Sequence, residues 1–165
     1  MVLGCSSEEG AKDATQYIRP IEDITLFYQF TDRELNPTGD IREVTYKTTK
    51  GGFSEHSIIK TNGREIPHDY NYLISDESIQ KSDRPMLGGP RVRTMKRYVS
   101  VGDKLFEDGL ITSLSEHVSF NGVDYQSCIK TEWHTEKLKS SSFYCKGVGH
   151  VGDIGTIGGM ALRPE

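Results

Sequence analysis

His56-Ser-Ile-Ile-Lys-Thr-Asn-Gly-Arg64 is the stretch of sequence that decides the fold. A run of β-forming residues leads into Asn62-Gly63, and a second extended run begins directly after it. Both positions of a two-residue type I′ turn need a positive φ, which asparagine and glycine adopt at low cost. The stretch therefore predicts a β-hairpin, and Asn121-Gly122 predicts a second one further along the chain.

Strand-like patterns continue outward from this hairpin over most of the chain. Apolar residues recur at every second position from Ile24 to Phe30, as expected on the buried face of a strand. Turn-forming residues separate such runs, and apolar spacing typical of a helix is missing, so residues 9–22 hold at most one short helix. We expect a mostly β fold, either an antiparallel sandwich or a partly open β-barrel.

Length and composition fit one soluble, globular domain. The chain has 165 residues, a formal net charge of -4 and a mean hydropathy of -0.54. It contains no apolar run of about 18 residues, the length that a transmembrane helix needs. Such a small net charge gives no global reason to expect a nucleic-acid partner.

The first residues resemble a processing site. Val2-Leu3-Gly4-Cys5 is similar to the lipobox of bacterial lipoproteins, in which the cysteine receives the lipid. Only four residues precede Cys5, whereas a signal peptide has a basic and then an apolar region there, so the alternative is a chance match. Residues 6–16 are small and polar, as in a flexible spacer. We expect residues 1–19 to be a lipobox remnant and tether, and residues 20–165 to form a single β-rich domain.

The other two cysteines predict a disulfide. Cys128 and Cys145 lie on consecutive predicted strands, and a hairpin centred between residues 136 and 137 places them directly opposite each other. Directly opposed residues have Cα atoms about 4.5–5.5 Å apart, which a disulfide can bridge. The alternative is two reduced cysteines packed as small apolar residues. A disulfide would mean folding in an oxidising compartment, in agreement with the lipobox.

The sequence predicts no catalytic residue, no metal site and no cofactor. The histidines are not spaced as metal ligands, and no nucleophile motif is present. The five are His56, His68, His117, His134 and His150. One basic stretch could bind an anionic ligand, through Arg91, Arg93, Lys96 and Arg97. The alternative is a charged edge strand that resists aggregation.

Ser142-Phe-Tyr-Cys-Lys-Gly-Val-Gly-His-Val151 resembles a strand that ends many uncharacterised bacterial envelope proteins and lipoproteins. In that family the strand reads Tyr-Tyr-Ala-Lys-Gly-Val-Gly-Leu-Val-Lys. Tyr125-Gln-Ser-Cys128 and Val101-Gly-Asp-Lys-Leu105 resemble two upstream segments of the same family. His150, Leu105 and Cys145 depart from the usual residues. The resemblance implies a curved, β-rich, extracytoplasmic domain without known catalytic residues, so no site residue can be transferred.

Together these patterns favour a non-enzymatic, lipid-anchored protein of the bacterial cell envelope. We expect it at the periplasmic face of the outer membrane, attached through Cys5, with a β domain that binds an apolar ligand, a lipid or an envelope protein partner. Two alternatives remain: a small extracytoplasmic hydrolase whose site assembles only on folding, and a structural or assembly subunit of an envelope complex.

Overall fold

The computed structural model describes residues 10–83, 91–106 and 109–164. Almost all regular structure in these ranges is β-strand, with a single turn of 3-10 helix at Ala14–Gln16. The described strands are β1 Lys12–Asp13, β2 Thr25–Thr31, β3 Pro37–Thr49, β4 Gly52–Thr61, β5 Arg64–Ile74, β6 Ser78–Asp83, β7 Arg91–Lys96, β8 Tyr98–Val99, β9 Lys104–Leu105, β10 Gly109–Phe120, β11 Val123–His134, β12 Lys139–Cys145, β13 Gly149–Gly155 and β14 Gly159–Leu162.

Twelve of these strands form one antiparallel sheet that curls into a nearly closed barrel. Their order is β7-β6-β5-β4-β3-β2-β14-β13-β12-β11-β10-β9. The N-terminal strands β2 to β7 make one meander, the C-terminal strands β9 to β14 make another, and the β2–β14 pair joins them. The predicted mostly β fold is confirmed, in its barrel form and with one short helical turn near the N-terminus.

Both predicted asparagine–glycine turns are confirmed. Asn62 and Gly63 have φ values of 50° and 72°, and they connect β4 to β5. Asn121 and Gly122 have φ values of 51° and 77° between β10 and β11. These positive φ values are the reason that the chain uses asparagine and glycine there.

Because the strands alternate in direction, the turns collect at two ends of the barrel. We call one end the mouth; its turns are residues 32–36, 62–63, 135–138 and 156–158. We call the other end the base; its turns are residues 50–51, 75–77 and 146–148.

Aromatic side chains fill the barrel interior between these ends. Phe53 and Tyr72 stack with ring centroids 4.1 Å apart, and both are buried. Phe106, just after β9, meets the Tyr72 ring edge-on at 5.8 Å. This contact links the β9 end of the sheet to β5, so side-chain packing helps to close the barrel between its two edge strands, β7 and β9.

A short N-terminal segment plugs the base. β1 pairs with β8, and Ala14, Tyr17 and Ile18 are buried in the hydrophobic core. We expected a flexible tether as far as residue 19, whereas the structure packs residues 12–19 against the barrel. Ala14, Tyr17 and Ile18 provide the apolar surface for this packing. They are hard to recognise in the sequence because polar residues surround them. Residues 1–9, including Cys5, lie outside the described residues.

The tip of the β10–β11 hairpin folds over the outer face of the barrel. The Phe120 ring lies 5.8 Å from that of Phe143, and the Asn121 side chain donates a hydrogen bond of 2.7 Å to the Leu162 carbonyl. A Cβ atom at Gly152 would lie only 2.6 Å from the Phe120 ring. Glycine at this position therefore allows the hairpin tip to approach the β13 backbone.

Cys128 and Cys145 form a disulfide under this folded hairpin. They are paired residues in the β11–β12 register, with Cα atoms 4.0 Å apart, and both are buried. The predicted disulfide is confirmed, since the turn lies where the sequence placed it. The neighbouring Ser127 has a φ of 54°, so β11 is irregular beside the disulfide.

Candidate functional site

The mouth of the barrel contains a cavity of about 620 Å³ that opens to solvent. Its apolar lining includes Phe30, Ile59 and Met160, which project inward from β2, β4 and β14. Its polar lining includes Arg42 and Asp153. Pockets of about 300–1,000 Å³ with an apolar wall and a few placed polar groups are typical of small-molecule sites.

Arg42 belongs to a buried ion pair next to the cavity. Its Nη2 atom lies 3.0 Å from Glu55 Oε1, and the two side chains are only 22% and 9% exposed. Its Nε donates a hydrogen bond of 2.8 Å to Ser57 Oγ, and Tyr72 donates one of 3.0 Å to Glu55 Oε2. Burial raises the pKa of Tyr72, and the Glu55 charge raises it further, so Tyr72 stays a neutral donor.

Asp153, on β13, provides a second charged group in the cavity lining. Its Oδ1 atom lies 2.7 Å from His150 Nε2. Burial acts to raise the pKa of Asp153, but His150, a hydrogen bond from Ser142 and the Arg42 charge outweigh it and lower that pKa. Asp153 is therefore ionised at neutral pH, where it presents a carboxylate to the cavity.

The His150 ring is held by aromatic neighbours and by backbone contacts. Its centroid lies 5.5 Å from that of Tyr28 and 5.1 Å from that of Tyr144. The Tyr28 hydroxyl donates a hydrogen bond of 2.7 Å to the backbone carbonyl of His150. Burial raises the pKa of Tyr28, so the phenol keeps its proton. These contacts hold the partner of Asp153 in place. We call Arg42, its ion-pair partner Glu55, and Asp153 the charged floor of the cavity.

Thr31 adds a polar group that is not satisfied within the described ranges. Its Oγ1 atom is buried and has no hydrogen-bond partner there, and the residue lines the cavity. A buried hydroxyl without a partner costs about 1–3 kcal/mol.

The structure does not gather the four predicted basic residues into one patch. Arg91 and Arg93 lie on the same face of β7 as the buried residue Met95. Lys96 lies on the opposite face of the strand. Arg97 lies beyond the strand, at the base.

Internal carboxylates pair with Arg91, Lys96 and Arg97. Arg91 Nε is 3.8 Å from an Asp83 oxygen, and Lys96 Nζ is 3.1 Å from one of Asp103. Arg97 Nη2 is 2.9 Å from Asp13. Anionic-ligand binding by these residues stays a prediction, and any such ligand would compete with internal carboxylates.

Sequence reasoning missed the charged floor of the cavity, although a signal was present. Arg42 has the same parity as buried Val44 and Tyr46, and Glu55 has the same parity as buried Phe53. Charged residues at the inward positions of neighbouring strands indicate a buried pair. Reading this signal requires the β3–β4 register, which places Arg42 opposite Ile59 and Glu55 two inward positions further along β4.

Two classes of feature are missing from the described ranges. They contain no helix that is long and apolar enough to cross a bilayer. They also contain no group of three or more His, Cys, Asp or Glu side chains arranged to hold a metal ion. In comparisons with known proteins, no family, curated protein or solved structure matches the chain.

Proposed function

We propose that this chain is a non-enzymatic, lipid-anchored protein of the bacterial cell envelope that binds a small amphipathic ligand in the mouth of its barrel. The observation that carries the proposal is the open cavity of about 620 Å³, with an apolar wall and a charged floor. Phe30, Ile59 and Met160 suit the apolar part of a ligand, and Arg42 and Asp153 suit its polar group.

The chemistry of the floor favours binding over catalysis. A general base works best with a pKa near the operating pH, but the pKa of Asp153 is lowered. Both oxygens of Glu55 are already occupied, one by Arg42 and one by Tyr72. These groups are arranged to hold a fixed charge pattern rather than to move a proton.

Two features support an envelope location. Val2-Leu3-Gly4-Cys5 resembles a lipobox. The Cys128–Cys145 disulfide fits an oxidising compartment such as the periplasm. The intact mass of the protein from its native cell tests the anchor: acyl mass on Cys5 is expected, and an unmodified Cys5 thiol would refute it.

Two isoleucines with similar exposure provide a matched test of the pocket. Ile157 lines the cavity and is 77% exposed, while Ile21 lies at the base and is 82% exposed. Because both side chains are exposed, a glutamate at either position should leave the fold intact. Only the Ile157→Glu variant places a charge beside the proposed ligand.

The probe is N-phenyl-1-naphthylamine, an apolar dye whose fluorescence rises on binding. We expect Ile157→Glu to weaken dye binding about tenfold, since the apolar contact that the bound dye would make with Ile157 is worth on the order of 1.5 kcal/mol. Ile21→Glu should bind as the unmodified protein does. The proposed site would be contradicted if the two variants bound the dye with equal affinity, or if the unmodified protein did not bind the dye.

A further inference from the structure

The N-terminal segment is fixed to the base by backbone hydrogen bonds. Gly147 donates from its backbone N–H to the Gln16 carbonyl at 2.8 Å, and Ile21 donates to the Gly147 carbonyl at 3.1 Å. Ala14 donates to the Arg97 carbonyl at 2.8 Å. Gly147 belongs to a base turn, so these bonds tie the start of the described chain to the end opposite the cavity.

Side chains strengthen this attachment. Asp13 pairs with Arg97 at 2.9 Å, and the Arg97 side chain also donates to the Ser75 carbonyl in another base turn. Asp23 accepts a hydrogen bond of 2.9 Å from the Thr48 backbone, near the base end of β3. The segment therefore bonds to three separate parts of the base.

The chain between Cys5 and Lys12, the proposed tether, is at most about as long as the barrel is tall. Strand β4 has ten residues, so at about 3.3 Å per residue and a tilt of about 40° it rises about 25 Å from base to mouth. Lys12, the first residue of β1, follows Cys5 by seven residues, which reach at most about 25 Å when fully extended. A lipid on Cys5 could meet a membrane at the mouth only with this tether stretched along the whole barrel wall.

The base also carries a surface that suits a bilayer. Ile21 is one of the most exposed apolar side chains that the structure describes, and it lines the same groove as Lys146. An exposed apolar side chain at this end can insert among the headgroups of a bilayer.

We infer that the barrel stands on its anchoring membrane with the plugged base downward, so that the mouth cavity opens away from that membrane. This inference rests on the lipid anchor at Cys5 in the proposed function. Its consequence is that the ligand comes to the cavity from the aqueous side, or from a carrier or membrane facing the mouth. It does not enter directly from the leaflet that holds the anchor.

Tryptophan fluorescence at the two ends of the barrel tests this orientation. The chain has one tryptophan, Trp133, in β11, which pairs with the cavity residue Ser140. In a Trp133→Phe background, Ile21→Trp reports on the base and Ile157→Trp reports on the mouth. The full chain is coupled through Cys5, its only cysteine outside the disulfide, to a maleimide phospholipid in phosphatidylcholine vesicles.

Doxyl-labelled phosphatidylcholine in the vesicles quenches tryptophan near the bilayer. We expect the Ile21→Trp variant to lose most of its emission, and the Ile157→Trp variant and the unmodified Trp133 protein to keep theirs. Quenching at the mouth alone, equal quenching at both ends, or no quenching at either end would overturn the inference. A Cys5→Ser variant, which cannot couple, should show no quenching.

Chemical coupling makes the orientation test independent of the native lipid. If Cys5 carries no lipid in the cell, the proposed anchor fails even when the coupled barrel stands base-down. If Cys5 is acylated but the mouth probe is quenched, the anchor holds and the orientation is wrong.

Discussion

Replacing Arg42 with methionine tests whether the cavity floor is a buried ion pair. Methionine keeps much of the apolar stem of the arginine side chain but removes its charge. Glu55, 9% exposed in the native protein, would then be left as a buried carboxylate without its cationic partner. Removal of one member of a buried pair costs about 3–5 kcal/mol. At about 2–4 °C per kcal/mol for a chain of this size, the midpoint of thermal unfolding should fall by about 6–20 °C.

A double variant separates the pair from simple loss of packing. In Arg42→Met/Glu55→Gln the uncompensated charge is gone, and the Tyr72 hydroxyl can still donate to the glutamine carbonyl. Most of the lost stability should therefore return, giving a large coupling energy in the mutant cycle. The free energies come from urea unfolding, followed by far-UV circular dichroism.

The exposed pair between Lys60 and Glu43 supplies the control. These side chains lie on the same two strands, 3.3 Å apart, but are 39% and 29% exposed. Lys60→Met should cost no more than about 1 kcal/mol, as usual for surface pairs. An equally small loss for Arg42→Met would refute the reasoning, because it would mean that water reaches Glu55.

Three further predictions concern the disulfide, the folded hairpin and the base plug. Replacing Cys128 and Cys145 together with alanine should cost about 3 kcal/mol in urea unfolding, since the bridge closes a 17-residue separation; an unchanged midpoint would contradict this. Gly152→Ala should cost about 1–3 kcal/mol, because a Cβ atom there would collide with the Phe120 ring and with the Met160 carbonyl oxygen; an unchanged thermal unfolding midpoint would argue against this close packing. The Thr48 backbone, the Thr48 hydroxyl and Arg19 lower the pKa of Asp23 to about 2, below the usual value of about 3.9. Ionised Asp23 therefore stabilises the folded protein fully above about pH 4, and this contribution is lost as the pH falls toward 2. Asp23→Asn should flatten that part of an acid-unfolding curve. An unaltered curve would refute this role.

The strands and the disulfide could be predicted because their signals are local. Asn62-Gly63 and Asn121-Gly122 encode the turn geometry directly in residue type. The Cys128–Cys145 pair followed from the spacing of two cysteines about one turn. Neither inference needed knowledge of what packs against the strand.

Strand β13 was harder to predict, because its sequence is rich in glycine. A sequence so rich in glycine is typical of turns and bulges, whereas residues Gly149–Gly155 form a strand whose pairing with β12 contains one register shift. Glycine has no side chain, so it shows no alternation between faces. Gly152 is small because Phe120 lies against it, and that contact comes from a hairpin more than twenty residues away.

The candidate site depends on contacts between distant parts of the chain. Arg42 and Asp153 reach one cavity only because β2 pairs with β14 and thereby brings the two meanders together. A single sequence contains no local signal for that pairing. The inward charge at Arg42 could be noticed, but its partners and the cavity could not be predicted.

The β2–β14 pair also has a consequence for how the barrel folds. In the large sheet, every other pair of neighbouring strands is also consecutive in the sequence, so each pair can form as a local hairpin. The β2–β14 pair spans more than a hundred residues, from Tyr28 to Leu162, and carries the entropy cost of a long closed loop. Since β14 follows all other described strands, the edge of β2 that it covers stays unpaired until β14 has been synthesised. During that interval the chain exposes an unpaired strand, the form in which the protein is most prone to aggregate.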